Sequence, residues 1–277
     1  MGQIIDELLI ESLAYGGNGL GRHDGKVIFV AGTAPGDRVR CRVTKEKKRF
    51  AEAQLIELLQ PAAERCAADC PVFGQCGGCQ WQHLPYQEQC TWKERIFSDL
   101  LLRQTGVAPT CLLPLVAAPN PWHYRSRAQL KLRMVKGKLA MGFYRRGSHH
   151  IIDHHHCAIL HPLLNDASRL FRRWLGDYPY ANRLTQLDLG VGDDGQVRAV
   201  LHCLDRESDE LKNFLRPQVA AVGIALLVQS ERANTLELVW GEKMLHISVG
   251  EPALQLAYSP KGFAQATWNK TERWSNR

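Results

Sequence analysis

Along the first 60 residues, apolar side chains alternate with polar ones in short runs: Ile4 to Ile10, Val27 to Val30, Asp37 to Thr44 and Ala51 to Leu58. Turn-forming residues such as Tyr15-Gly16-Gly17-Asn18-Gly19 fill the gaps. A period of two marks half-buried strands, and several short strands at this spacing predict a small antiparallel β-barrel, closed off by Pro61. The period then changes. From Pro85 to about Arg103 the residues Trp92, Ile96 and Leu100 recur every four positions, which predicts one amphipathic helix stopped near Gly106.

Beyond the helix the alternation returns. Leu130, Leu132 and Met134 are interleaved with basic residues, Lys136-Gly137-Lys138 makes a turn, and Leu139, Met141 and Phe143 alternate again, so a hairpin with one basic face is expected. His161 to Tyr178 reads as a helix with Pro162 near its start. Two further hairpins are expected, one turning through Gly192-Asp193-Asp194-Gly195 into Val197 to Cys203, the other running Leu236 to Trp240 and turning through Gly241-Glu242 into Met244 to Ile247. The fold class is α+β: a small β-barrel, a cysteine-rich segment with a helix, and a central mixed α/β domain built on an antiparallel sheet.

Composition sharpens this picture in one place. The 277 residues are 45% hydrophobic and 23% charged, enough for two domains, and 35 Lys and Arg against 28 Asp and Glu give a formal charge of +7. Residues 100 to 152 contain no acid and nine bases, whereas all other residues together hold 26 bases and 28 acids. The positive excess is therefore local. Trp122, His123, Tyr124, Phe143 and Tyr144 are interleaved with those bases, a pattern suited to neutralising phosphates while stacking on unpaired nucleobases. Arg125, Arg127, Lys131, Arg133, Arg145 and Arg146 are the candidate RNA contacts. A second basic run, Arg38 to Arg49, holds seven bases against Glu46.

The longest apolar stretch, Ala220 to Val228, is about half the roughly 20 residues that a membrane helix needs. The N-terminus MGQIIDELLI carries acids where a secretory signal carries bases. A cytoplasmic, monomeric protein without membrane contact is expected. In that compartment nine cysteines point to thiolate or metal chemistry rather than disulfides. Cys70, Cys76 and Cys79 form C-x5-C-x2-C with Gly77-Gly78 in the last gap. A fourth ligand would complete a cubane cluster or a tetrahedral zinc, with Cys66, Cys90, Cys111, Cys157 and Cys203 as candidates. Three local cysteines and a distant one suit a 4Fe-4S cluster better, while Cys66 keeps a local zinc site open.

The string from Cys70 through Cys76-Gly77-Gly78-Cys79 to Gln80-Trp81-Gln82-His83 resembles the iron-sulfur motif of RNA uracil-C5 methyltransferases, in the branch that makes 5-methyluridine in 23S ribosomal RNA. Residues 1–60 resemble that family's OB-like TRAM domain, with Gly17 to Arg22, Val27 to Val30 and Pro35-Gly36-Asp37 at the characteristic places. Tyr124-Arg125-Ser126-Arg127 is similar to the family's Tyr-Arg-Asn-Arg, with Ser126 as a departure. The resemblance spans essentially the whole chain. It implies a 4Fe-4S cluster on Cys70, Cys76, Cys79 and Cys157, and an RNA substrate, ribosomal or transfer RNA.

The family also implies S-adenosylmethionine and a Rossmann-like domain carrying a cysteine nucleophile. Tyr258 to Gln265 resembles the segment leading into that domain, where the glutamine contacts the cofactor, so Gln265 is the candidate S-adenosylmethionine contact. No glycine-rich cofactor loop follows, and no cysteine matches the nucleophile motif. The expectation is four segments: a barrel (1–60), a cysteine segment with its helix (61–106), a central domain (107–258), and the start of a domain that is otherwise missing (259–277). On that expectation no catalytic residue is present, the chain is inactive by itself, and S-adenosylmethionine binds only with the missing domain supplied. A non-catalytic iron-sulfur RNA-binding adaptor is the alternative. A radical methylthiotransferase is excluded, because those enzymes space their cysteines as C-x3-C-x2-C.

Overall fold

In the computed structural model, which describes residues 2–205, 208–232, 234–250, 253–260 and 262, the chain divides into two units, residues 1–117 and 118–277. Among the described residues no helix is long and apolar enough to cross a membrane.

The first unit opens with five strands, β1 (Ile4–Leu13), β2 (Asn18–His23), β3 (Lys26–Ala31), β4 (Arg38–Glu46) and β5 (Phe50–Gln60), closed into a barrel in the order β1-β2-β3-β5-β4. Inward positions are apolar: Ile5, Leu8, Ile10, Ile28, Val30, Val39, Cys41, Val43, Ala51 and Ala53 form its core. In β1 the buried residues Ile5, Leu8, Ile10 and Leu13 are spaced three, two and three apart, which strict alternation cannot place on one side. The strand solves this with two irregularities, between Ile5 and Leu8 and between Ile10 and Ser12, each shifting the pleat by one residue. Gly21 on β2 allows the close pass, since a Cβ there would stand 2.3 Å from the Leu9 carbonyl oxygen. One pair departs from the expected antiparallel barrel: β3 and β5 run parallel. β4 lies between β5 and β1, so β5 must close against β3 in the same direction.

After the barrel comes the cysteine segment and then α1 (Tyr86–Thr105), ended by Gly106 in the left-handed region at φ 74° with its N–H on the Leu102 carbonyl. Leu13, Ala34, Ala62 and Leu84 form a second core, against which Trp81, Trp92 and Ile96 pack. Leu100, expected on the same apolar face, is 44% exposed.

A buried carboxylate joins these parts. Asp37 has no solvent exposure and accepts from the Ala34 N–H at 2.6 Å, the Ala62 N–H at 2.9 Å and the Arg65 guanidinium. It thereby fixes the turn before β4 and the chain leaving β5 at one point.

The second unit is a seven-stranded sheet in the order β12-β11-β10-β9-β6-β7-β8. Its strands are β6 (Arg127–Val135), β7 (Lys138–Tyr144), β8 (Ile151–Asp153), β9 (Leu184–Val191), β10 (Val197–Cys203), β11 (Ala225–Ser230) and β12 (Thr235–Trp240). Helix α2 (Pro162–Gly176) packs on β7, β9 and β10, and α3 (Asp209–Val222) on β11 and β12. A separate hairpin follows, β13 (Leu245–Val249) with β14 (Leu254–Tyr258). The predicted β6–β7 hairpin and the β9–β10 hairpin are both formed.

The expected antiparallel sheet is corrected to a mixed one. β10 and β11 run parallel, joined by α3 as a crossover, because parallel neighbours cannot be linked by a tight turn. Leu211, Leu215 and Val219 bury one side of α3 at four-residue spacing, but Pro217 sits inside the helix and disguises it in the sequence. The apolar run Ala220 to Val228 is split between the end of α3 and β11, whose residues are buried throughout and so read as continuous rather than alternating. Accordingly β12 pairs with β11 and not with the residues after Gly241. Of residues 259–277, only Ser259, Pro260 and Gly262 are described.

Replacing Asp37 by Ala would leave two N–H groups and a guanidinium without their acceptor. Chemical denaturation should show the first unit losing roughly 3–5 kcal/mol, the cost of breaking a buried ion pair from one side.

Candidate functional site

The cysteine segment occupies the loop between β5 and α1. Its backbone is held locally: the Cys66 N–H donates to the His83 carbonyl (3.0 Å), the Cys70 N–H to Gln82 Oε1 (3.1 Å) and the Cys76 N–H to the Val72 carbonyl (2.9 Å). Cys70, Cys76 and Cys79 are half-buried and Cys66 is exposed. The turn at Gly17, in the left-handed region at φ 86°, lies under the Trp81 indole; a Cβ there would stand 2.2 Å from Trp81 Nε1. Among the described residues no three His, Cys, Asp or Glu side chains gather closely enough to hold a metal ion. Neither the three motif cysteines nor the local set with Cys66 is drawn together as a ligand cluster, and Cys157 belongs to the second unit. The donor chemistry still suits a soft cluster. The Gly78 N–H already donates to Cys76 Sγ at 3.4 Å, and hydrogen bonds of this kind to cluster sulfurs tune such centres.

Cys157 is buried in a loop clamped by a residue the sequence did not single out. Asn165, itself buried on α2, accepts from the Cys157 N–H at 2.9 Å and donates to the Cys157 carbonyl at 3.1 Å. Gln82 plays the comparable part for Cys70.

The second candidate surface is one side of the sheet in the second unit. On β6 the buried Ala128, Leu130 and Leu132 alternate with Arg127, Gln129, Lys131 and Arg133, as the pattern predicts. The register aligns Arg127 with Gly190 and Arg198, Gln129 with Asp188, and Lys131 with Gln186 and His202, so these residues share the polar side. Their environments differ. Arg127 donates to the Gly262 carbonyl at 2.8 Å, and Arg198 donates to the carbonyls of Lys243 (2.9 Å) and Tyr258 (3.0 Å). Both guanidiniums lie over the Tyr258 ring, and Leu245 fits over Gly190, which has no Cβ to obstruct it. Burial pushes Arg198 down to about 10, which leaves it charged at neutral pH. At that end the polar side is therefore covered by the β13–β14 hairpin.

Arg133, Arg145 and Arg146 are exposed, and Arg125 is half-buried with its guanidinium over the Phe143 ring. The basic turn after β7 is followed by a half-buried contact missed in the sequence. Arg172 of α2 donates to the carbonyls of Met141 (2.7 Å) and His154 (2.8 Å) and pairs with Asp153 at 2.7 Å. Burial alone would raise Asp153, but the Met141 N–H and Arg172 hold its carboxyl below the usual value. His154 stacks on Phe143, with ring centroids 5.3 Å apart, and burial lowers its basicity. The histidine-rich stretch thus contributes packing here. Gln265 lies outside the described residues.

Residues 2–56 match the TRAM domain family. Over 95% of its length the chain is 32% identical to the 23S rRNA (uracil(1939)-C(5))-methyltransferase RlmD of Bordetella parapertussis, covering 57% of that protein. It is 38% identical over 173 residues to an uncharacterized RNA methyltransferase of Thermosynechococcus vestitus, covering 62% of this chain and 38% of that one. The fold matches the tRNA (uracil-54, C5)-methyltransferase of Pyrococcus abyssi, solved with S-adenosyl-L-homocysteine, at a TM-score of 0.69 and 19% identity, over 97% of this chain and 63% of that one. The chain thus contains a TRAM domain, is homologous to RNA uracil-C5 methyltransferases, and spans 35–62% of the length of the curated relatives it matches. The expectation of a chain cut off before a Rossmann-like domain, and inactive for that reason, is withdrawn. The fold likeness extends over 97% of this chain, which leaves no domain-sized stretch of it outside the shared fold.

One pH dependence follows from the cysteine segment. His83 is 3% exposed, its Nε2 lies 3.2 Å from the Thr33 carbonyl, and burial lowers its pKa below 6.5. Above pH 6.5 both folded and unfolded forms are neutral here; as pH falls below 6.5 only the unfolded chain gains this proton, until the lowered folded value is reached. The first unit should lose stability across that window in thermal melts, and His83→Gln should flatten this component.

Proposed function

We propose that this chain recognises RNA for a uracil-C5 methyltransferase acting on ribosomal RNA, as a cytoplasmic monomer. The observation that carries this is strand β6 of the second unit, apolar on one side and basic on the other, next to an exposed arginine-rich turn. The TRAM match and the similarity to RNA methyltransferases support RNA as the partner, and the Bordetella relative supports a ribosomal target. Arg125, Arg133, Arg145 and Arg146 would meet phosphates directly. Arg127, bonded to the Gly262 carbonyl, and Lys131, bonded to Gln186, already serve contacts within the chain and would position the surface as much as bind. The methyl donor would be S-adenosylmethionine, which supplies an electrophilic methyl group; Gln265 is the residue of this sequence assigned to it.

Cys70, Cys76, Cys79 and Cys157 would hold a 4Fe-4S cluster. Its role would be structural, tying segments distant in sequence, and Gly78 and Asn165 would steady its ligands.

Binding of the chain to ribosomal RNA fragments should weaken with salt in a log–log plot. Substituting Arg145→Ala and Arg146→Ala together should lower the slope by about two, about one per lost phosphate contact. Binding indifferent to salt would overturn the reading. For the cluster, anaerobically purified protein should contain about four irons and four sulfides per chain, and Cys157→Ser should reduce both. Stoichiometric zinc in a colourless protein would refute it.

A further inference from the structure

The polar side of the sheet contains a feature that phosphate binding does not explain. Asp188 stands on β9 in the middle of a basic face, between Gln129 of β6 and Val200 of β10 in the register. An acid there repels phosphates, so an indifferent backbone-binding surface has no use for it. Its neighbours hold it in one orientation: Gln186 Nε2 donates to Asp188 Oδ1 at 2.6 Å, and His202 Nε2 lies 3.1 Å from Asp188 Oδ2. Gln186 in turn accepts from Lys131, whose ammonium sits 5.5 Å from the centre of the Tyr144 ring. The row is therefore Lys131, Gln186, Asp188, His202, linked end to end and flanked by an aromatic face.

Asp188 and His202 retain 25% and 21% side-chain exposure, and Gln129 is exposed beside them. The β13–β14 hairpin meets the neighbouring row at Gly190, through Leu245. Each Asp188 oxygen makes one contact in the row and can accept another.

We infer that Lys131, Asp188 and Tyr144 form a subsite that reads an unpaired guanine in the RNA, an inference that rests on the RNA-recognition reading above. A carboxylate accepts and never donates, so it selects an edge with hydrogen-bond donors. The Watson–Crick edge of guanine places two parallel N–H groups side by side, matching the two carboxylate oxygens, with a carbonyl oxygen beyond them for an ammonium. Adenine and cytosine each offer a single amino group on that edge, and uracil a single ring N–H. Tyr144 supplies a face for stacking, as in other readers of single-stranded RNA.

The test uses the whole chain and short single-stranded RNAs identical except at one position carrying guanine, inosine or adenine, followed by fluorescence anisotropy. Inosine lacks only the amino group that the carboxylate would hold. The guanine RNA should bind about tenfold tighter than either substitute, the value of one good bidentate contact. Asp188→Asn should bring that ratio to about one, while the Arg145→Ala/Arg146→Ala double variant should weaken all three RNAs alike. Should Asp188→Asn fail to fold, Lys131→Met reads the same site and should also reduce the guanine preference. Tight binding of all three RNAs without preference, or an unchanged preference in both variants, overturns this inference alone. No binding to any of them overturns the RNA reading beneath it.

Discussion

Both units depend on the parity of the β-strand, in which successive side chains face opposite sides and a shift of one residue exchanges core for solvent. In the second unit parity is kept along β6, and the result is a sheet with Leu130 and Leu132 on one side and Lys131 and Arg133 on the other. A basic surface flat enough to meet a polyanion follows directly from that alternation. In the barrel parity is broken twice within β1, because Ile5, Leu8, Ile10 and Leu13 must all reach the interior. A closed five-stranded barrel has to bend its strands sharply, and irregularities of this kind provide the bend.

Where backbone pairing does not fix the chain, buried or half-buried charged groups do. Asp37 collects the turn before β4 and the exit from β5; Arg172 binds carbonyls from β7 and from the histidine-rich stretch; Arg198 holds the β13–β14 hairpin through the carbonyls of Lys243 and Tyr258. Asp37 sits where two backbone N–H groups would otherwise be buried without an acceptor, and Arg172 and Arg198 sit where two backbone carbonyls converge. A guanidinium with five donors suits convergent carbonyls, and a carboxylate suits convergent N–H groups. These three side chains connect elements far apart in sequence, which a hydrophobic contact of the same size would do with less directional control.

This explains how much could be read in advance. The barrel strands other than the glycine-containing β2, together with α1, α2 and the β6–β7 hairpin, announce themselves through local pattern, and the acid-free block locates the basic surface from composition alone. The α3 crossover was hidden because Pro217 interrupts its pattern, and the parallel β10–β11 pair was hidden with it. The clamps Asn165, Gln82 and Arg172 were invisible for another reason. Each is an ordinary polar residue whose role depends on a partner that only the fold brings to it, and no local spacing marks it. The cysteine motif shows the converse: its spacing is highly legible, yet the described residues do not collect its sulfurs into a ligand set.

The acid-free block and the acid on its sheet become compatible once charge and hydrogen bonding are assigned different tasks. Phosphate attraction acts over about 8 Å in physiological salt and needs only net positive charge in the neighbourhood, which the arginine-rich turn supplies. Base reading acts at contact and needs acceptors as well as donors. Asp188 lies between those demands: Gln186 and His202 orient it, and the guanidinium of Arg198 is close enough to interact with it electrostatically. A carboxylate set among so much positive charge adds little repulsion at the distance of an approaching phosphate. It still presents its oxygens to any group that comes within hydrogen-bond range. A surface made only of bases would bind RNA strongly and indiscriminately; one oriented acid gives such a surface the means to select.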